Sequence, residues 1–197
     1  MKFLAENESI QGPSAVTVGM FDGLHLGHQA LIGRLKENAK DLKTLIFTFR
    51  VSDEARSIYT ADEKMTLLEK TGVDYACLQP FTPAFSGTDR EAFLLMLKNR
   101  YNMQALAAGE DFRFGKDAMG DAAYLLKNAG RLGIGVTVVP PVIMDGEKVS
   151  STRIRTLILE GGVKEAGRGC AGQRLCDGYG ASRNGQKVLR GTGGRSA

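Results

Sequence analysis

Short apolar runs rich in β-branched residues alternate with segments of helical period along most of this chain, and that alternation restricts the fold more than any other feature. Ala15-Val16-Thr17-Val18-Gly19, Leu45-Ile46-Phe47-Thr48-Phe49, Val73-Asp74-Tyr75-Ala76-Cys77-Leu78, Ala105-Leu106-Ala107-Ala108-Gly109 and Ile134-Gly135-Val136-Thr137-Val138-Val139 read as buried strands. Helical faces separate them: Leu31, Ile32, Leu35 and Ala39 after the first; Met65, Leu67 and Leu68 after the second; Phe93, Leu94, Met96 and Leu97 after the third; Ala122 to Ala129 after the fourth. Thr60 with Glu63, and Thr88 with Glu91, have capping-box spacing at two helix starts, and Gly72 ends the first of these helices. Strands that each lead into a helix make βαβ units. Right-handed crossovers then give an α/β fold, a doubly wound parallel sheet with helices on both faces and a ligand crevice at the carboxyl ends of the strands.

At 197 residues, 43% hydrophobic and 24% charged, the chain suffices for one sizeable domain. No run approaches the ~18 apolar residues of a membrane helix, and Met1 to Glu8 lacks the apolar core of a secretory signal. A cytoplasmic location and no membrane partner are therefore expected. The net charge of +4 comes from one end: residues 167–197 carry six basic side chains against Asp177, leaving the preceding body at −1. A nucleic-acid footprint should lie on a folded basic face, so no nucleic-acid partner is expected. Cys77, Cys170 and Cys176 have neither the number nor the spacing of a disulfide framework or a zinc site. The domain is expected to span residues 1–166. Residues 167–197 hold nine glycines and no sustained apolar face, which predicts a disordered Gly/Arg-rich tail.

Three segments carry chemistry. The first strand runs into Gly19-Met20-Phe21-Asp22-Gly23-Leu24-His25-Leu26-Gly27-His28 at the mouth of a helix, where backbone N–H groups and the helix dipole favour an anion. Gly23 and Gly27 would let the backbone approach a phosphate, and His25 and His28 are the chain's two histidines; alternatively, His28 is a core histidine beside Leu31 and Leu35. Ser150 or Ser151 caps a later helix through Leu157, Ile158 and Leu159 to Gly161-Gly162. With Thr152, Arg153 and Arg155 this makes a second anion site, or else a capped surface helix with solvated arginines. Between them, Gly109-Glu110-Asp111-Phe112-Arg113-Phe114-Gly115 with Gly120 is a loop whose aromatics could stack on a flat ring while Asp111 takes a polar edge; a loop pinned to the core by its phenylalanines fits equally.

In this order and spacing the motifs resemble the FMN adenylyltransferase module of prokaryotic bifunctional riboflavin kinase/FAD synthetases, within the HxGH nucleotidyltransferase superfamily. The likeness runs from about Val16 to Ala166 and includes Thr71-Gly72-Val73-Asp74-Tyr75 and Pro80-Phe81-Thr82. It implies a Rossmann-like nucleotidyltransferase fold and transfer of AMP from ATP, with Mg²⁺, to FMN, giving FAD and pyrophosphate. It further implies catalysis by His25, His28 and Arg153. ATP would be bound by Gly19, Met20, Phe21, Gly23, His25, Gly27, His28, Ser151, Thr152, Arg153 and Arg155. FMN would be bound by Asp111, Phe112, Phe114 and Phe49. An adenylyl- or cytidylyltransferase for another phosphate substrate, or a catalytically weak flavin or nucleotide binder, is the alternative. Three departures stand out. Met20 replaces the family's usual asparagine; Arg50-Val51-Ser52-Asp53 follows Phe49 where Pro-His-Pro is usual; and no kinase barrel follows, so no riboflavin phosphorylation is expected. Metal ligands and oligomeric state are not indicated.

Overall fold

Successive residues of a strand point to opposite faces of a sheet, and in the computed structural model the apolar runs do so on six parallel strands. It describes residues 1–50, 57–170, 179–181 and 187–189. Strand β1 (Lys2–Leu4) precedes β2 (Ser14–Val18), helix α1 (Leu26–Ala39), β3 (Lys43–Arg50), α2 (Ala61–Glu69) and β4 (Tyr75–Pro80). A short helix α3 (Pro83–Ser86), then α4 (Arg90–Tyr101), β5 (Met103–Gly109), α5 (Ala122–Leu132) and β6 (Gly135–Val139) complete the sheet. A tight hairpin of β7 (Ile143–Met144) and β8 (Glu147–Lys148) leads into α6 (Ser151–Leu159) and α7 (Val163–Gly169). The strand order is β1-β4-β3-β2-β5-β6. The chain moves outward from β2 through β3 to β4 and then returns to the other side of β2, so the order reverses between β2 and β5.

Two cores result. Ala15 and Ile46 face α1, α2, α6 and α7, where Leu35, Leu68, Ile154 and Ala166 are buried; Val16, Leu45 and Phe47 face α4 and α5 with Leu94, Leu97 and Leu125. Among the described residues no helix is long and apolar enough to cross a membrane.

Several expectations from the sequence are amended. Thr60 and Glu63 do form a reciprocal capping box on α2, but α4 is capped by Asp89, not Thr88. The Asp89 carboxylate accepts from the backbone N–H groups of Glu91 and Ala92, and Thr88 instead offers its carbonyl to Lys116 N–H. The strand expected at Val73 starts at Tyr75, because Asp74 is engaged by the Thr44 amide and hydroxyl, both at 2.8 Å. Strand β1 was not foreseen. The boundary expected at Ala166 falls inside α7, which continues to Gly169 with Cys170 buried behind it. Gly169 packs so closely on α6 that a Cβ would lie 2.7 Å from Ile154 Cδ1, so this tail glycine serves the core. Within the segment expected to be disordered, β9 (Tyr179–Ala181) and β10 (Lys187–Leu189) pair antiparallel; its other residues beyond Cys170 lie outside the described part.

Candidate active site

Where the strand order reverses, between the paired strands β2 and β5, a crevice opens at their carboxyl ends. A cleft of about 630 Å³ fills it, walled by the ends of β2, β5 and β6 and by the starts of α1 and α6. Of the residues singled out from the sequence, Gly19, Met20, His25, Gly27, His28, Asp111, Phe112, Ser151, Thr152 and Arg155 line this cleft. Its apolar side includes Leu31, Val139 and Pro140 to Val142.

The turn from β2 into α1 is strained: Phe21 and Leu24 have φ of 47° and 38°, unusual for residues with a Cβ. Gly23, at φ 89°, packs where a Cβ would stand 2.8 Å from Ile58 Cδ1. It shapes the turn and lies outside the cleft, which differs from the phosphate approach expected of it. Phe21 is likewise fully buried behind the cleft, its ring 4.9 Å from that of His28. Asp22 knits the region together. Its Oδ1 accepts from the amides of Ile58 (2.8 Å) and Tyr59 (3.4 Å), its Oδ2 lies 3.7 Å from Arg155 Nε, and its carbonyl accepts from Ser151 Oγ at 2.7 Å.

His25 is the N-cap of α1, its Nδ1 accepting from His28 N–H at 3.4 Å, which leaves the proton of the neutral ring on Nε2. The two imidazoles stack with centroids 3.7 Å apart. Burial pushes His25 down to about 4, assisted by Lys148 and opposed by Asp111. Burial also holds His28 well below the ordinary value, with His25 and Lys64 adding to the effect. Both rings are therefore neutral at pH 7, and the positive charge of the cleft comes from lysine and arginine. Lys64 is 6% exposed and lines the cleft, donating to the carbonyls of Met20 and Phe49. Lys148, on β8, reaches across to Asp111 and holds its carboxyl below the usual range. Sequence reading missed Asp22, Lys64 and Lys148.

Arg153 is not among the residues lining the cleft. Ser150 Oγ caps its amide, and its guanidinium donates to Met144 O (2.9 Å) and pairs with Glu147 (3.0 Å) and Glu165 (3.1 Å). It clamps the β7–β8 hairpin, and with it Lys148, against α6 and α7.

A second cavity of about 380 Å³ adjoins the first and shares Val18, Gly19, Met20, Phe112 and Arg113 with it. Six of the chain's nine phenylalanines line it: Phe49, Phe81, Phe85, Phe93, Phe112 and Phe114. Phe112 and Phe114 stack at 5.2 Å, and Phe49 meets Phe81 edge-on at 5.2 Å. Thus Phe49, Phe112 and Phe114 are brought together as expected, while Asp111 faces the polar cleft instead. Phe81 and Phe85 were not foreseen as lining residues. Residues 51–56, where the sequence departs from Pro-His-Pro, lie outside the described part.

Residues 7–153 match the FAD synthetase family. The chain is 33% identical over 163 residues to the bifunctional riboflavin kinase/FMN adenylyltransferase of Listeria monocytogenes, covering 77% of this chain and 51% of that protein. For the protein of the same name from Haemophilus influenzae the values are 29% over 160 residues, 76% and 52%. A Geobacillus thermodenitrificans relative is 31% identical over 170 residues, 82% of this chain and 92% of the relative. The chain thus spans about half the length of the Listeria and Haemophilus proteins. The crystal structure of a macrolide-efflux protein from Streptococcus pneumoniae superposes with a TM-score of 0.76 at 31% identity, covering 85% of this chain and 58% of that one. With one family matched over most of its length and relatives above 30% identity, the chain belongs to the FAD synthetase family.

Proposed function

We propose that the chain transfers AMP from ATP to FMN, forming FAD and releasing pyrophosphate. The observation that carries this reading is the pair of adjoining compartments, one polar and cationic, the other lined by phenylalanine, with Met20 and Phe112 in their common wall. A nucleoside triphosphate suits the first, with its base against Val139 to Val142 and its phosphates toward His25, His28, Ser151, Thr152, Lys148 and Arg155. A flat, largely apolar ring suits the second, stacked among Phe49, Phe112 and Phe114. The FMN phosphate then reaches the common wall beside the α-phosphate.

A phosphate oxygen of FMN forms a bond to the α-phosphorus as the bond from that atom to the bridging oxygen breaks, and the electron pair leaves with pyrophosphate. The nucleophile is already an anion, so no general base is required and catalysis is positioning plus charge stabilisation. His25 and His28 serve as neutral N–H donors to phosphate oxygens rather than as fixed charges. Lys148 exchanges Asp111 for phosphate, and Asp111 acts from the nucleotide side rather than as a contact to the flavin. Arg153 acts as a clamp on the hairpin that carries Lys148. Mg²⁺ enters with ATP as part of the substrate. Among the described residues no three His, Cys, Asp or Glu side chains are grouped to hold it, so phosphate oxygens and water would be its ligands.

Incubation of the purified chain with ATP, FMN and Mg²⁺ should yield FAD and pyrophosphate in equal amounts, measured by chromatography and a coupled pyrophosphate assay. Pyrophosphate from CTP, or from a phosphate ester other than FMN, without FAD would reassign the substrate. No turnover with retained binding of FMN and ATP would make the chain a binder.

A further inference from the structure

The wall between the compartments is held in an unusual way. Met20 lines both cavities and is 40% exposed, and its backbone carbonyl just beyond β2 accepts two hydrogen bonds. Thr48 Oγ1 donates at 3.0 Å and Lys64 Nζ at 2.9 Å. The same ammonium donates at 3.0 Å to the carbonyl of Phe49, near the end of β3, whose ring lines the aromatic cavity. One cation on α2 therefore ties Met20, in the wall just beyond β2, to the end of β3, whose Phe49 lines the aromatic cavity. Lysine on a surface helix is ordinarily solvated, whereas Lys64 is buried and lines the polar cleft. Removing an ammonium from water is costly, and its hydrogen bonds to the two carbonyls offset that cost here.

We propose that Lys64 is a positioning residue for the transfer: by joining the carbonyls of Met20 and Phe49 it fixes the wall across which the FMN phosphate approaches the α-phosphate. This rests on the FAD-forming reading above. In-line attack tolerates little displacement, and a shift of about 1 Å costs about 100-fold in rate. Fixing the wall therefore acts on turnover more than on the binding of either substrate alone.

The test compares the full chain with its Lys64→Met, Lys64→Arg and Thr48→Val variants. FAD formation gives kcat, flavin fluorescence gives FMN binding without ATP, and calorimetry gives ATP binding without FMN. Lys64→Met should lower kcat by about 100-fold while each substrate alone binds within about threefold of the parent. Lys64→Arg, which restores a cation with several donors, should recover part of that loss. Thr48→Val removes the other donor to Met20 at nearly constant volume and should lower kcat by about tenfold. This conservative variant keeps the proposal testable if Lys64→Met does not fold. A folded Thr48→Val or Lys64→Met variant with kcat within about threefold of the parent overturns the proposal. So does a rate loss matched by equal losses in both binding constants and in melting temperature. Absence of FAD from the parent chain would instead overturn the function on which the proposal rests.

Discussion

His25 and His28 lie where protonation is opposed by burial, and this has a consequence for stability as well as for chemistry. In the unfolded chain both take up a proton near the ordinary value of about 6.5. In the fold His25 does so only at about 4, and His28 well below its ordinary value. Their folded values are depressed, so the stability linked to them is intact above about pH 6.5 and is lost as pH falls toward about 4. His28→Ala should flatten the dependence of melting temperature on pH across that window. It should also cut FAD formation by about 100-fold, the usual loss when one preorganised donor is removed. Turnover that survives with a sharply lower melting temperature would return His28 to the role of a core histidine. The histidines were legible in the sequence because two imidazoles at a strand-to-helix junction are rare. Lys64 and Lys148 were not, because a lysine's default is water and only the folded arrangement buries the first and brings the second to Asp111.

At the scale of elements, periodicity located α1, α2, α4 and α5 but not the short α3, and the local chemistry of helix ends was less readable. Thr88 and Asp89 are adjacent N-cap candidates, and sequence spacing favours the threonine through Glu91. The carboxylate prevails because it reaches two amides at once. Asp89→Ala should therefore cost about 1 kcal/mol and lower the melting temperature by about 3 °C, whereas Thr88→Ala should change stability by less than about 0.5 kcal/mol. Thermal unfolding of the two variants decides between the caps; a larger loss from Thr88→Ala would reverse the assignment. Strand β1 escaped notice because three residues carry too little periodicity, and it gains its place from parallel pairing with β4. Helix α7 escaped for a related reason: its glycines read as breakers, yet Gly169 is small because α6 lies against it.

For the whole molecule, alternation of strands and helices was enough to give the doubly wound class, while the strand order came only from the fold. That order places Gly19 and Gly109, ninety residues apart in the chain, on one crevice and brings Phe49, Phe85 and Phe114 from three separate segments into one cavity. No local pattern encodes such a meeting. The common wall also bears on what happens after the proposed chemistry. On the proposed function, FAD would occupy both compartments at once, its AMP half in the polar cleft and its flavin half among the phenylalanines. Because the two halves are covalently joined, the second would engage without a further loss of translational freedom, and FAD should bind more tightly than FMN or AMP alone. Departure of FAD is then the expected slow step of the cycle. Rapid-quench measurements should find a first burst of FAD approaching one equivalent of enzyme ahead of a slower steady rate, whereas a linear progress curve from the first turnover would place the limit at the transfer itself. An enzyme limited in this way holds on to what it makes until another protein, or simple dilution, takes the cofactor from it.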